Sequence, residues 1–409
     1  MRILYFTQFY APESIAAAFR AKDHAAAWVD GGHEVVVFTG WPNYPAGRLY
    51  DGYVMERLGE EVVDGVRVFR SRSKLRPNTS FRKRIESGLS FIWNGLRNTR
   101  GRSPVGKDYD AVLVTSGTVF AAWLGVHYAK KNRLPPVVEF RDLTYRQMVA
   151  TGSSEGCAKV RAMKALELSF CKAADEVVVL TEGFRQELAA QGIPERKMVV
   201  VPNGADPVPC EHDWTGALHL GYFGTMGISQ DVVRTLDLAA GLAEEGLIGG
   251  YELIGEGAAR GAVEEGIASG AYPFATISRG VSQEELEPRY AAVHMTVASL
   301  QDSESFAGTI PSKIFQSFAR GVPVLFVGPE GEAARLVCES GGGMALCGSD
   351  AECAAALRAF AKAPGLPARL AEMSSRARSF MERDYTRGRM AECMLGVLED
   401  AVGGFRRDE

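Results

Sequence analysis

Short, continuously apolar runs recur along the chain and alternate with stretches of helical spacing. In the first half the runs are Arg2–Phe6, His33–Phe38, Ala111–Val114, Val137–Phe140, Glu176–Leu180 and Met198–Val201. In the second half they are His219–Phe223, Tyr251–Ile254, Ala275–Ser278, Met295–Ala298 and Val322–Val327. Runs that are apolar throughout, rather than alternating, predict parallel strands covered on both faces. Ala16–Val29 has helical composition and ends at Gly31-Gly32, a helix stop signal. One segment breaks the parallel pattern. Glu60–Phe69 places Asp64-Gly65 between valines, which predicts a hairpin. Residues 111–129 carry no Asp, Glu, Lys or Arg and have the length of a membrane span. Thr115-Ser116-Gly117-Thr118 interrupts that run, so a buried strand, a tight turn and a helix to Lys131 are predicted instead. Leu370–Val402 is helical in pattern and is interrupted by Asp384-Tyr385-Thr386.

The strand–helix pattern therefore starts twice. Between the two halves lies Pro202-Asn203-Gly204-Ala205-Asp206-Pro207-Val208-Pro209, rich in turn residues and poor in anything to bury. At 409 residues the chain exceeds one ordinary core, and two domains of roughly 200 residues fit its length. Two doubly wound α/β domains facing across the linker are expected, with boundaries at 1–205 and 206–380. Ligands of such sheets lie at the carboxyl ends of the strands, so the cleft between the domains is the expected active site.

Composition changes this picture only locally. The chain is 46% apolar and 23% charged with a net charge of −4, which is ordinary globular composition and gives no general reason to expect nucleic acid. Its positive charge is concentrated, however. From Arg70 to Arg102 ten Lys/Arg face one acid, Glu86. Within this stretch Phe81, Ile85, Leu89, Ile92 and Leu96 fall on one helix face, beside Trp93 and the triplet Arg82-Lys83-Arg84. Aromatic and basic groups on one short helix suit an anionic membrane surface. Seven scattered cysteines with no paired spacing read as reduced thiols of a cytosolic protein, with no zinc site. The strand at Arg2–Phe6 leaves no leader pattern at the N-terminus. No Walker, H-E-x-x-H or G-x-S-x-G sequence occurs.

The most informative segment for chemistry is Asp302–Pro323. A small-residue loop containing Gly308 and Thr309 runs into Pro311-Ser312-Lys313, and a helix then carries Gln316 and stops at Gly321. Pro suits a first helical position, and the free N–H groups of a helix start bind anions. Ser312 adds a hydroxyl and Lys313 a full charge, while Gln316 shares their helix face. The segment suits a diphosphate. Two more strand-end turns have small residues: Gly224-Thr225-Met226-Gly227 and Gly255-Glu256-Gly257. Three such turns in one domain predict a nucleotide site. Glu304 stands on the loop before the Lys313 helix, placed to accept hydrogen bonds from sugar hydroxyls. In the first domain Glu139-Phe140-Arg141-Asp142 ends a strand, where Asp142 is a candidate for substrate hydroxyls or developing positive charge and Arg141 for phosphate. No metal-ligand cluster is expected.

Several of these segments resemble the family 4 retaining glycosyltransferases of GT-B fold. They are Tyr10-Ala11-Pro12-Glu13, Gly32-His33-Glu34-Val35-Val36-Val37, Thr39-Gly40-Trp41-Pro42-Asn43-Tyr44-Pro45-Ala46-Gly47, Ala174-Asp175-Glu176-Val177, Thr181-Glu182-Gly183-Phe184-Arg185, Val201-Pro202-Asn203-Gly204-Ala205-Asp206 and Pro311-Ser312-Lys313-Ile314-Phe315. The first three are similar to the amino-sugar transferases of colanic acid and O-antigen assembly. The resemblance implies a UDP-sugar as co-substrate, held mainly by the second domain, and a polyprenyl-diphosphate-linked saccharide held by the first. It implies retention of configuration without a metal or other cofactor, and a C-terminal helix, residues 381–409, that crosses back onto the first domain. The expected place is the cytoplasmic face of the plasma membrane.

Four positions depart from the family pattern. The family's paired glutamates fall at Glu304 and Gln316, so the second is an uncharged amide. An Arg-and-Lys pair common after the first strand of the second domain is replaced by Gly224–Gln230. The first loop, often glycine-bearing, reads Ser14-Ile15-Ala16-Ala17, and no His stands at the strand end where Asp142 lies. A non-catalytic nucleotide-sugar-binding partner of the same fold, and a UDP-sugar epimerase, are the alternatives these departures leave open.

Overall fold

The computed structural model describes every residue except Ser14, Pro45, Asn78, Thr79, Ser80, Thr151 and Glu409. The expectations touching Ser14 and Pro45 lie outside the described residues. The chain forms two compact units. The first comprises Met1–Tyr145, Ser154–Pro202 and Arg387–Glu409, and the second Arg146–Ser153 and Asn203–Thr386.

The first unit is built on strands β1 (Arg2–Phe6), β2 (Glu34–Gly40), β3 (Leu58–Val63), β4 (Val66–Ser71), β5 (Ala111–Thr115), β6 (Pro136–Phe140), β7 (Glu176–Val179) and β8 (Met198–Val200). Their order in the sheet is β3-β4-β2-β1-β5-β6-β7-β8. Every neighbouring pair is parallel except the β3–β4 hairpin, whose turn puts Asp64 and Gly65 at φ 49° and 77°. The second unit carries β9 (Leu218–Phe223), β10 (Ile248–Ile254), β11 (Ala275–Ser278), β12 (Met295–Ser299), β13 (Val324–Val327) and β14 (Gly343–Leu346). They form an all-parallel sheet of order β11-β10-β9-β12-β13-β14. Both units are Rossmann-like α/β domains.

The helices, in chain order, are α1 (Ala16–Asp30), α2 (Phe81–Asn98), α3 (Val119–Asn132), α4 (Thr144–Ala150), α5 (Ala158–Ala173), α6 (Glu182–Ala190), α7 (Val232–Glu244), α8 (Arg260–Ala268), α9 (Gln283–Ala291), α10 (Ser312–Ala319), α11 (Glu332–Ser340), α12 (Asp350–Ala361), α13 (Leu366–Asp384) and α14 (Arg387–Asp408). In the first unit α1 and α14 cover one face of the sheet, where Trp28, Met394 and Leu398 pack against Tyr5, Val37 and Leu113. The Trp28 indole N–H donates to the Ala391 carbonyl at 2.8 Å. The break read at Asp384-Tyr385-Thr386 separates α13 from α14, so α13 runs to Asp384 inside the second unit and the helix on the first unit starts at Arg387. Residues 146–153 also belong to the second unit, and Ala150 packs on its cluster of Ile314, Phe315 and Phe318.

Buried charges tie the strand-end loops of the first unit in place. The Glu13 carboxylate accepts backbone N–H bonds from Tyr10, Asn43 and Tyr44 at 3.3, 2.9 and 2.9 Å. Arg70 pairs with Glu61 and donates to the carbonyls of Gly40 and Ala11. The Tyr10–Glu13 and Trp41–Tyr44 segments are thus one assembly, clasped by two side chains. Unpaired backbone donors here would each cost about 1–3 kcal/mol.

Among the described residues, no helix is long and apolar enough to cross a membrane. No group of three or more His, Cys, Asp or Glu in them could hold a metal ion. All seven cysteines are free thiols.

Candidate active site

Three turns at the carboxyl ends of β9, β10 and β12 form one patch in the second unit. The turn after β9 donates from Gly224 N to Ile254 O (2.9 Å), and from Met226 N to Glu256 O (2.8 Å). Gly255 and Gly257 have φ of 154° and 153°. A Cβ on Gly255 would lie 1.9 Å from the Gly224 carbonyl oxygen, and one on Gly257 would lie 2.3 Å from that of Met226. These two glycines are therefore required by backbone packing, whatever binds beside them. Gly224 and Thr225 are exposed, Gly227 is half-buried, and the Glu256 carboxylate lies 3.9 Å from Arg260.

Pro311 precedes α10 as its N-cap, and Ser312 is the first helical residue, one position later than the sequence pattern predicts. The helix start has no side-chain cap and no acid in its first turn, so its N–H groups are not neutralised from within the helix. One hydroxyl bond seats α10 on β12, Thr296 donating to Ser317 Oγ at 2.7 Å, and Ser317 in turn donates to the Lys313 carbonyl of its own helix at 2.8 Å.

Lys313 is the centre of the patch. Its Nζ is shielded from solvent and has no hydrogen-bond partner. It stands 3.5 Å from the centroid of the buried Tyr222 ring and 3.8 Å from where a Gly224 Cβ would be. Tyr222 is held by its own hydroxyl, which donates to Thr225 O at 2.7 Å. Burial pushes the Lys313 pKa down to about 7. The ring face supplies cation–π attraction but no acceptor, so the three ammonium donors are open to an anion.

The other second-unit candidates are divided between a loop and the helix. Glu304 is exposed at the start of a short helical turn, Glu304–Phe306, capped by Ser303. This loop carries Gly308 and Thr309 and is pinned by Glu332 N donating to Ala307 O at 2.8 Å. Gln316 Oε1 accepts from Arg320 Nη1 at 3.1 Å. Arg320 is itself buried, bonded to Glu287 at 2.7 and 2.5 Å and stacked over Tyr290 at 4.5 Å. A buried arginine therefore fixes the carbonyl oxygen of the Gln316 amide.

The remaining candidates belong to the first unit. Asp142 is exposed on the β6–α4 loop, and the neighbouring Arg141 has Nε and Nη1 buried without partners. On α2 the inward face is Gly88, Phe91, Gly95 and Asn98, not the bulky stripe. Cβ atoms at Gly88 and Gly95 would meet Phe120 and Leu124 of α3 at 2.1 and 2.3 Å. Of the bulky stripe, Leu89 is 56% exposed and Ile85, Ile92 and Leu96 are half-buried, while the neighbouring Trp93 is 65% exposed. Arg82 and Arg84 are exposed and Lys83 half-buried. Sequence reasoning missed Tyr222, Arg320, Glu13 and Arg70. The continuous apolar run of Leu220–Phe223 carries no signal for Tyr222, because an aromatic beneath a lysine looks like any core tyrosine.

Comparison with known proteins gives a fold and a partial family match. Residues 16–204 match the family described as Glycosyl transferase 4-like domain. Sucrose-phosphate synthase of Thermosynechococcus elongatus superposes with a TM-score of 0.77 at 13% identity, covering 98% of this chain and 99% of that one. HepE of Anabaena, solved with UDP and glucose, gives 0.68 at 15% identity over 98% and 99%. WaaG, a glycosyltransferase involved in lipopolysaccharide biosynthesis, gives 0.63 at 14% identity over 93% and 95%. No curated protein sequence matches the chain significantly. The chain therefore has the GT-B fold, and less than half of it, residues 16–204, is similar to the glycosyl transferase 4-like domain.

Proposed function

We propose that this protein is a retaining, metal-independent glycosyltransferase of the family 4 type. It moves a sugar, an N-acetylated amino sugar, from UDP to a lipid-linked saccharide in bacterial cell-surface polysaccharide synthesis. One observation carries the reading: a shielded lysine ammonium without a partner, at the start of an uncapped helix, between two backbone turns at strand ends. Such a place fits a diphosphate. The family match over the first unit and the UDP bound to HepE, a structural neighbour, support the same class.

In this reading the donor diphosphate lies on the α10 start, with Ser312 and Lys313 as donors and Gly224, Thr225, Gly227, Gly255, Glu256, Gly308 and Thr309 around it. Gln316 bonds the ribose and Glu304 the sugar hydroxyls. As the anomeric C–O bond to phosphate breaks, charge grows on the leaving oxygen. Lys313 and the helix N–H groups stabilise that charge without reorganising, a contribution worth roughly 10²–10³ in rate. The acceptor oxygen forms the new bond on the same face, and its proton passes to the departing phosphate. Asp142 of the first unit bonds acceptor or donor hydroxyls near the developing positive charge. The stripe of Leu89 and Trp93 with Arg82, Lys83 and Arg84 rests on an anionic membrane surface on the cytoplasmic side.

The test is a panel of UDP- and GDP-sugars scored for protection against unfolding. The protecting donor is then assayed for UDP release with and without lipid-linked acceptors. A UDP-sugar that both protects and turns over in an acceptor-dependent way is the expected result. Protection by no nucleotide sugar would refute the donor site, and turnover without acceptor would indicate an epimerase.

A further inference from the structure

On the α1 face of the first sheet, polar groups line up at the carboxyl ends of neighbouring strands. Val37, Leu113 and Val137 point into the core beneath α1. Two residues further along, on the same face, stand Thr39, Thr115 and Glu139. Thr115 is registered opposite Glu139. From α1, Arg20 donates to Glu139 Oε1 at 2.7 Å and to the carbonyls of Pro202 and Val201 at 2.5 and 2.9 Å, so its fork is used. Six buried atoms here have no partner: Thr39 Oγ1, Thr115 Oγ1, His24 Nδ1, Glu139 Oε2, and Arg141 Nε and Nη1.

Arg141 is the unusual member. Burial lowers its pKa, and Glu139 opposes that shift from nearby. Its position is set by the scaffold and not by its own bonds. Leu143 is buried, and Glu167 accepts from Thr144 N and Tyr145 N at 3.0 and 3.3 Å. The Tyr145 hydroxyl donates to Glu187 at 2.7 Å. Arg20 bonds only Oε1 of Glu139, and burial keeps His24 neutral down to about 3. Asp142 weighs on Arg141 only from the exposed side. Buried unsatisfied donors are rare in folded proteins and call for an explanation. Nε and Nη1 lie on opposite edges of the guanidinium, and each forms with Nη2 a two-point fork shaped for an oxyanion.

We infer that Arg141 anchors a preformed anion subsite in the first unit, which takes a phosphate or carboxylate group carried by the acceptor. Thr115, opposite Glu139 on the neighbouring strand, offers a buried hydroxyl with no partner on the same face. This inference rests on the reading that the first unit receives the acceptor. It adds that the acceptor is recognised by a negative charge as well as by its hydroxyls.

The experiment uses the full chain with Lys313→Ala, which disables the donor-side cation. Inorganic pyrophosphate and glucuronate are titrated while thermal unfolding is followed. One of the two anions is expected to raise the unfolding temperature still. Adding Arg141→Met should weaken that anion about tenfold or more, and Arg141→Lys should restore part of it. Protection by pyrophosphate assigns a phosphate group, and protection by glucuronate assigns a carboxylate. Protection by neither, or protection that survives Arg141→Met, overturns the inference. Without anion, Arg141→Met loses its attraction to the buried Glu139 and should unfold somewhat lower than its parent, so the anion-dependent rise above each variant's own apo temperature is the quantity that reads the subsite. UDP protection of the unmodified chain reports separately on the donor site, so either reading can fail alone.

Discussion

Among the described residues, Lys313 in the second unit and Arg141 in the first hold buried nitrogens with no hydrogen-bond partner, while Arg234, whose Nη1 also lacks one, has its other two nitrogens bonded. Lys313 and Arg141 differ in their surroundings. Lys313 faces an aromatic ring and backbone turns, with burial alone shifting its pKa. Arg141 sits beside a buried carboxylate that partly offsets its desolvation. A lysine can shed its proton when empty and regain it when an anion arrives, so its charge is made on demand. An arginine stays charged, so its site has to be held open by the scaffold, here by Glu167 and Leu143. The second unit is thus suited to a charge that changes during a reaction, and the first to steady recognition.

The strongest way to break this comparison is Lys313→Ala. Turnover should fall about 10²–10³-fold while the apo fold persists. Wild-type turnover in that variant would remove Lys313 from its assigned role. Next in size is Gly255→Ala, whose Cβ would meet backbone and not a flexible side chain. Destabilisation of about 3 kcal/mol or more is expected, read as a lowered unfolding midpoint. An unaffected midpoint would show that the β9 and β10 turns are not packed as described. The Arg82/Lys83/Arg84→Ala variant should lose about 3 kcal/mol of affinity for anionic vesicles, near 1 kcal/mol per cation, with the wild-type binding lost at high salt. Equal sedimentation of variant and wild type would reject the membrane role of α2. The smallest effect is expected from Gln316→Glu. Its oxygen already faces Arg320, so stability should change by less than about 1 kcal/mol and activity should persist. Activity appearing only in that variant would favour a non-catalytic protein.

Much of this architecture is readable from residues, and the exceptions have physical causes. Continuous apolar runs gave the parallel strands, Asp64-Gly65 gave the single hairpin, and Gly31-Gly32 gave the end of α1. Strand β14 was hidden because its segment begins with Gly341-Gly342-Gly343. Gly343 is needed there because a Cβ would lie 2.2 Å from the Val324 carbonyl oxygen. Strand β13 begins at Val324 and not Val322, because Val322 N donates back to Ser317 O and closes α10. Lys313, Gly224 and Gly255 were each legible as small-residue or cationic strand-end positions, and the fold brings them together. The lack of a partner on Lys313 and Arg141 was not legible, since it depends on how distant segments shield a nitrogen. The clasp made by Glu13 and Arg70 was not legible, because apart from Glu61 their partners are backbone groups, which sequence does not mark.

The central claim is that the Lys313 ammonium meets the donor's diphosphate. In the empty protein its pKa is about 7, against an ordinary 10.5. The unfolded chain therefore binds more protons between those values, and this group makes apo stability rise with pH across that window and adds no slope below it. An anion at the site reverses the shift, so UDP binding must take up a proton above pH 7. The direct measurement is calorimetry of UDP binding at pH 8 in two buffers of different ionisation enthalpy. The account predicts uptake approaching one proton in the wild type, little at pH 6, and none in Lys313→Ala. Tight UDP binding at pH 8 with no buffer dependence would contradict it.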